Sequence, residues 1–116
     1  MTDRISISFP AGDRFRSVST LVLGGIGTRL DLPYERMDDL QLAVLSLLDA
    51  VEGDEATVDV EAAAGTVVVT VGPLREGSGR DPGLHRVVSR LVDDVASSTR
   101  DGAERVTLRL APGSST

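Results

Sequence analysis

Asp81-Pro82-Gly83-Leu84-His85-Arg86-Val87-Val88-Ser89-Arg90-Leu91-Val92-Asp93-Asp94-Val95 is the stretch on which the fold turns. Asp followed by Pro suits a helix start, because the N–H that proline lacks is one the first turn leaves unbonded anyway. Leu84, Val87, Val88, Leu91, Val92 and Val95 then recur at i, i+3, i+4, i+7, i+8 and i+11, which is one stripe of a helix. Arg86, Ser89, Arg90, Asp93 and Asp94 fall off the stripe and belong to its solvated side. The spacing predicts a helix that runs through Val95 and buries Leu84, Val88, Leu91 and Val95.

Downstream, residues 97–102 read as a connection. Val106, Leu108 and Leu110 alternate with Thr107 and Arg109 as a final strand, and residues 111–116 are expected to form a flexible tail. Upstream, Gly72 to Arg80 is a polar, glycine-rich loop. Before it, Val58, Val60 and Ala62 alternate with Thr57, Asp59 and Glu61; Gly65 turns the chain into an apolar second strand, Thr66 to Val71, completing a hairpin. A helix is predicted from Pro33, with Met37, Leu40, Val44, Leu47 and Val51 on one stripe and Gly53 as its stop. Leu42, Leu45 and Leu48 cover much of its remaining surface, so it is expected to be largely buried. Ile5, Ile7 and Phe9 alternate as an opening strand, broken by Pro10-Ala11-Gly12. Asp13 then caps a helix carrying Phe15, Val18, Leu21, Val22 and Ile26, weakened at its end by Gly24, Gly25 and Gly27. The expected order is β-α-α-β-β-α-β: a single α/β (α+β) domain over 1–116, built as a two-layer sandwich. Its sheet is expected to be four-stranded and mixed, with three helices on one face.

Composition narrows the chemistry. The 116 residues carry 12 Arg, no Lys and 18 Asp plus Glu, for a net charge of -6. An acidic domain is a poor binder of phosphate backbones, which argues against nucleic acid as a partner. The absence of Cys removes disulfides, thiolate nucleophiles and cysteine-held metals, and a single His argues against a histidine metal site. Without Lys there is no P-loop lysine and no Schiff base. Residues 1–10 lack the basic start and apolar run of a secretion signal, and the near-apolar run 40–48 is far too short for a membrane span. A soluble, cytoplasmic protein is expected.

Three segments carry a family resemblance. They are Tyr34-Glu35 with Asp38-Asp39-Leu40-Gln41-Leu42-Ala43-Val44, then Gly83-Leu84 with Val87-Val88 and Leu91-Val92-Asp93-Asp94-Val95, then Arg105-Val106-Thr107-Leu108-Arg109-Leu110. In order and spacing the chain resembles the small serine-kinase anti-sigma factors of bacteria. These share the ATPase fold of histidine kinases, gyrase B and the large heat-shock chaperone. The resemblance implies that histidine-kinase-like ATPase fold and a Glu and an Asn in the helix after the Asp-Leu-x-x-Ala-Val pattern. Here those places fall on Ser46 and Ala50, or, one residue back, on Leu45 and Asp49. The family's adenine-reading Asp has no counterpart in Val71-Gly72-Pro73. The degenerate pocket positions are thus Ser46, Asp49, Ala50, Gly77, Gly79 and Gly83. The resemblance implies a regulatory protein-binding domain that has lost ATP binding and kinase activity, with no cofactor and no catalytic residues. Its implied partner is a sigma factor or an anti-sigma antagonist, and a second copy of the chain is a further candidate. The rival readings are an active serine kinase using Mg-ATP with Asp49, and a structural or dimerisation domain unrelated to sigma factors.

Other candidate residues have plainer readings. Asp38-Asp39 and Asp93-Asp94 are adjacent helical pairs in this reading, about 100° apart around an axis, so neither pair alone converges on an ion. His85 has no Ser or Cys nucleophile motif to serve. Arg14, Arg16, Arg29 and Arg36 gather in the first half, the first three flanking the glycine-softened helix; they are either a candidate partner-binding patch or the plain consequence of a composition in which Arg replaces Lys throughout. Leu45, Leu47 and Leu48 stand where a nucleotide pocket needs polar groups, which is either ordinary core packing or a pocket filled with side chains.

Overall fold

The computed structural model describes residues 3–10, 21, 24, 25, 34–53, 55–63 and 66–111. Within these residues β1 (Asp3–Pro10), β2 (Glu55–Ala63), β3 (Thr66–Leu74), β4 (Asp94–Arg100) and β5 (Ala103–Leu110) form one sheet. Its strand order is β1-β2-β3-β5-β4 and every neighbouring pair is antiparallel. Direct partners line up across all five strands as Ile5, Val60, Val69, Leu108 and Val95, and as Ile7, Val58, Val71, Val106 and Ser97. Residues opposite one another share a face, so period-two alternation collects most of the apolar side chains on one side of the sheet. Val58, Val60, Val67, Val69, Val71, Val106, Leu108 and Leu110 are buried there. The other face is lined mainly by Ser, Thr and charged side chains, with Val68 and Ala96 among them and hydroxyl pairs Ser8–Thr57 at 3.2 Å and Thr70–Thr107 at 3.1 Å.

Helix α1 (Tyr34–Leu48) supplies Leu40, Ala43, Val44, Leu47 and Leu48 to that core, and helix α2 (Pro82–Ser89) supplies Val88. Leu84, Leu91 and Val95 are half-buried against it. The expectation that α1 is largely buried holds for one face only. Leu42 lies about 200° around the helix from Leu40 and is 54% exposed. Arg36 fixes the start of α1. Its guanidinium donates to Asp93 Oδ2 at 2.7 Å and to the Ala111 carbonyl at 3.3 Å, while the Ala111 N–H donates to the same Asp93 oxygen at 2.6 Å.

The four-stranded mixed sheet with three helices is corrected to a five-stranded antiparallel sheet with two α-helices described from end to end. The helix expected to reach Val95 ends at Ser89. Its last turn tightens, with the Leu91 N–H donating to Val88 at 2.9 Å, and the Asp93 N–H then donates to the Arg109 carbonyl at 3.0 Å. Asp93 is therefore committed to the sheet by both backbone and carboxylate, and Val95 is a strand residue. Residues 97–102 are not a plain connection: β4 runs on to Arg100, and Asp101-Gly102 turn it into β5. Both turn residues have positive φ, 53° and 80°, the type I′ geometry that matches the twist of a two-residue hairpin. This extra strand reverses the chain once more, so β5 meets β3 antiparallel instead of parallel. The small α+β architecture survives the correction; the topology implied by the mixed sheet does not.

Of the helix expected after Asp13, Leu21, Gly24 and Gly25 are described and helical; the rest lies outside the described residues, as do residues 112–116 of the expected tail. Among the described residues no helix is long and apolar enough to cross a membrane.

Leu108, fully buried at the centre of β5, gives the packing test. Leu108→Ala is expected to cost about 2–5 kcal/mol in urea unfolding. Leu42→Ala, on the exposed side of α1, should change stability by no more than about 0.5 kcal/mol. Equal losses at the two positions would contradict this placement of the core.

Candidate functional site

The glycine-rich loop is positioned by an irregularity in β3. Val71 pairs with Val106 but Leu74 pairs with Glu104, so Gly72 and Pro73 together stand against the single residue Arg105. The bulge keeps both Val71 and Leu74 turned inward and buried. It also needs a glycine. A Cβ on Gly72 would lie 2.6 Å from Arg105 Cγ and 3.1 Å from the Glu104 carbonyl oxygen. The segment after α1 locks onto the same place, with the Arg75 N–H donating to the Ala50 carbonyl at 2.8 Å and the Glu52 N–H to the Pro73 carbonyl at 3.0 Å.

From there the chain passes over the beginning of β5, where Glu104 stands. By strand parity Glu104 shares the inward face of Val106, Leu108 and Leu110. Its carboxylate accepts two backbone hydrogen bonds from the loop, Gly77 N–H to Oε1 at 2.7 Å and Gly79 N–H to Oε2 at 2.8 Å. Gly77 takes φ 86°, open to glycine without steric cost. The two amide bonds, Gly77 first, then Gly79, hold the Glu104 carboxyl below its ordinary pKa; partial desolvation opposes them and the charge of Arg80 adds to them. The loop then enters a short 3-10 turn, Ser78–Arg80, and α2.

Between α1, this turn, α2, β4 and β5 lies an apolar seam lined by Leu47, Gly79, Leu84, Val88, Val95 and Val106, with His85 at its rim. The free space left in it is about 10 Å³, at most room for one water molecule. A second, open cleft of about 560 Å³ lies beyond the loop, lined by Glu52, Leu74, Arg75, Glu76, Thr99, Gly102 and Glu104.

The predicted pocket residues are only partly brought together. Gly77 and Gly79 converge on Glu104, whereas Gly83 is exposed on the first turn of α2. The Ser46 hydroxyl donates to the Leu42 carbonyl at 2.9 Å, within its own helix. Ala50 is buried, with its carbonyl taken by Arg75, and Asp49 is exposed beyond the end of α1. Leu47 and Leu48 are buried and Leu45 half-buried, as core packing requires. Arg36 serves the Asp93 clamp, and Arg14, Arg16 and Arg29 lie outside the described residues. Among the described residues no cluster of His, Asp and Glu is grouped to hold a metal ion.

Glu104 is the residue that sequence reasoning missed. Its signal was available, because an acidic side chain sits at a core-facing position of an otherwise apolar alternation.

Replacing Glu104 by Gln tests the clamp. Glutamine keeps one acceptor oxygen, but its NH2 cannot accept, so one of the two glycine N–H groups loses its partner. Because the folded carboxyl titrates below its unfolded value, its stabilisation is complete above about pH 4.3 and fades as pH falls through the lower folded pKa. The wild-type chain should therefore melt above Glu104→Gln at neutral pH, with the gap narrowing below about pH 4. A gap that stays constant down to about pH 3 would remove the carboxylate's electrostatic role.

No protein-family model matches the chain, and no curated protein matches it.

Proposed function

We propose that the chain is a regulatory protein-binding domain of the anti-sigma kind, acting in the cytoplasm on a sigma factor or an anti-sigma antagonist, without ATP binding or phosphoryl transfer. The partner follows from the family resemblance alone; the observation that supports the loss of ATP binding is the Glu104 clamp. Backbone N–H groups of a glycine-rich loop are the usual cradle for a phosphate, because they present positive dipole ends to an anion. In this chain the Gly77 and Gly79 N–H groups already donate to the protein's own carboxylate, at 2.7 and 2.8 Å. A phosphate entering there meets a negative charge instead of free donors, and like charges at contact distance repel. The seam behind the loop, with about 10 Å³ of free space, has no room for an adenine ring, so a nucleotide would be left to the open cleft, whose wall carries the Glu104 charge. Phosphoryl transfer depends on positioning and metal-assisted charge stabilisation, so a chain without the family's Glu and adenine-reading Asp has lost the parts that do this work.

Two measurements test the proposal. Mg-ATP at millimolar concentration should leave the melting temperature unchanged, because a ligand at 100 times its dissociation constant would stabilise the fold by about 2.7 kcal/mol. A saturable rise in melting temperature would replace this reading with the active kinase. For the partner, the tagged chain should co-purify from its native host with a sigma factor or an anti-sigma antagonist. Arg14→Glu with Arg16→Glu should abolish that capture while leaving the melting temperature in place. Capture unaffected by the double reversal would take the arginine patch out of the interface.

A further inference from the structure

We propose that the free edge of β4 pairs with β4 of a second copy of this chain, joining two five-stranded sheets into one. The inference goes beyond the partner reading above and does not depend on it. Among the described residues β4 is the last strand of the sheet, and apart from the half-buried Val95 its residues are exposed. Edge strands present a row of unpaired backbone groups, and proteins commonly blunt them with Lys, Pro or a bulge. Asp94–Arg100 contains no Lys and no Pro, and its register with β5 is unbroken from Asp94–Arg109 to Arg100–Ala103.

The hairpin geometry decides which groups face outward. In a two-residue type I′ hairpin the closing pair, here Arg100 and Ala103, exchanges hydrogen bonds, and pairs alternate from there. Arg100, Ser98, Ala96 and Asp94 therefore bond to β5, while Val95, Ser97 and Thr99 aim their N–H and C=O groups at the free edge. The Val95 N–H fits this assignment: it donates to the Asp94 Oδ1 atom beside it, at 3.0 Å.

The sequence of the strand is self-complementary about Ser97. A two-fold axis there sets Ser97 against Ser97 of the second copy, Val95 against Thr99, Ala96 against Ser98 and Asp94 against Arg100. All the outward backbone groups of residues 95, 97 and 99 then find partners. Ala96, Ser97 and Ser98 at the axis are small enough for close approach. Each end of the seam carries one Asp–Arg pair, both members on the open face of the sheet, and Asp94 exchanges its local bond to the Val95 N–H for the arginine. The opposite edge has no such match. Self-pairing of β1 would set Asp3 and Arg4 at one end against Phe9 and Pro10 at the other, and proline has no N–H to give. Isologous contacts of this kind close at two copies.

The test is a charge swap read by sedimentation equilibrium. The wild-type chain should show reversible association to twice its single-chain mass of 12.2 kDa. Ser97→Pro removes an outward N–H and no β5 bond, and should give the single-chain mass throughout. Asp94→Arg and Arg100→Asp should each weaken self-association about tenfold, since each places two like-charge pairs in the dimer. Mixing those two variants restores both Asp–Arg pairs and should yield a heterodimer at wild-type strength. A wild-type chain that stays single up to about 1 mM would overturn the proposal. So would a dimer indifferent to Ser97→Pro and to the swap, which would lie elsewhere on the surface. A single chain whose β4 edge binds only a strand of another protein would overturn the choice of a second copy as its occupant.

Discussion

The two backbone amide hydrogen bonds that the Glu104 carboxylate accepts organise the half of the molecule around it. Glu104 is half-buried at the start of β5, on the same face as Val106 and at the wall of the open cleft. Its two oxygens are met by the amides of Gly77 and Gly79, so the loop after β3 is held over β5. That placement delivers the 3-10 turn and α2 onto the sheet, and Leu84 and Val88 close the seam against Leu47 and Val95. Gly79 is fitted closely as well, since a Cβ there would lie 2.9 Å from the Ser97 Cβ and 3.1 Å from Glu104 Oε2. Loop, helix and strand are thus tied by one side chain. The donors that stabilise the fold are the same donors an anionic ligand would need, so the two uses exclude each other.

Asp93 performs a second junction. The pattern from Leu84 to Val95 reads as one uninterrupted helical stripe, yet the chain leaves the helix after Ser89 and enters the sheet at Asp94. Local spacing offers no reason for the break. The reason is tertiary: the Asp93 N–H goes to the Arg109 carbonyl, and its carboxylate binds both the Ala111 N–H and Arg36. One residue thereby fixes the end of β5, the start of β4 and the first turn of α1. A helical continuation would forfeit all three contacts, and no propensity difference of a few tenths of a kcal/mol outweighs that.

What the sequence made legible follows the strength of the burial signal. β2, β3 and β5 alternate clearly because one face of each is buried and the other is wet, and α1 shows its stripe because it lies on that buried face. β4 was illegible to periodicity because it is an edge strand with only Val95 half-buried, which leaves no alternation to detect. The readable sign was Asp101-Gly102, a dipeptide suited to a type I′ turn, whose two positive φ angles the structure displays. The candidate site divides in the same way. The glycine loop was visible from its composition, whereas its occupant stood 25 residues beyond Gly79, at a position that only strand parity identifies.

The corrected topology also changes what the surface can do. A sheet ending in an apolar central-type strand would need cover, and its edge would be an aggregation hazard. At the β4 edge this sheet ends instead in a strand of small side chains beside the single Val95, with one acid and one arginine at its ends. Such a strand contributes little to the core, so its own composition answers to solvent or to a partner, not to packing. Thr99 lies directly opposite Glu104 in the β4–β5 register, which places the free edge one strand away from the clamp. The type I′ turn and the unbroken ladder between those strands make the hairpin a stiff unit. Pairing at the edge therefore adds backbone bonds without asking the glycine loop to move. Coupling between the two places would require an element with two arrangements, and the clamp, with both carboxylate oxygens bonded, is built to have one.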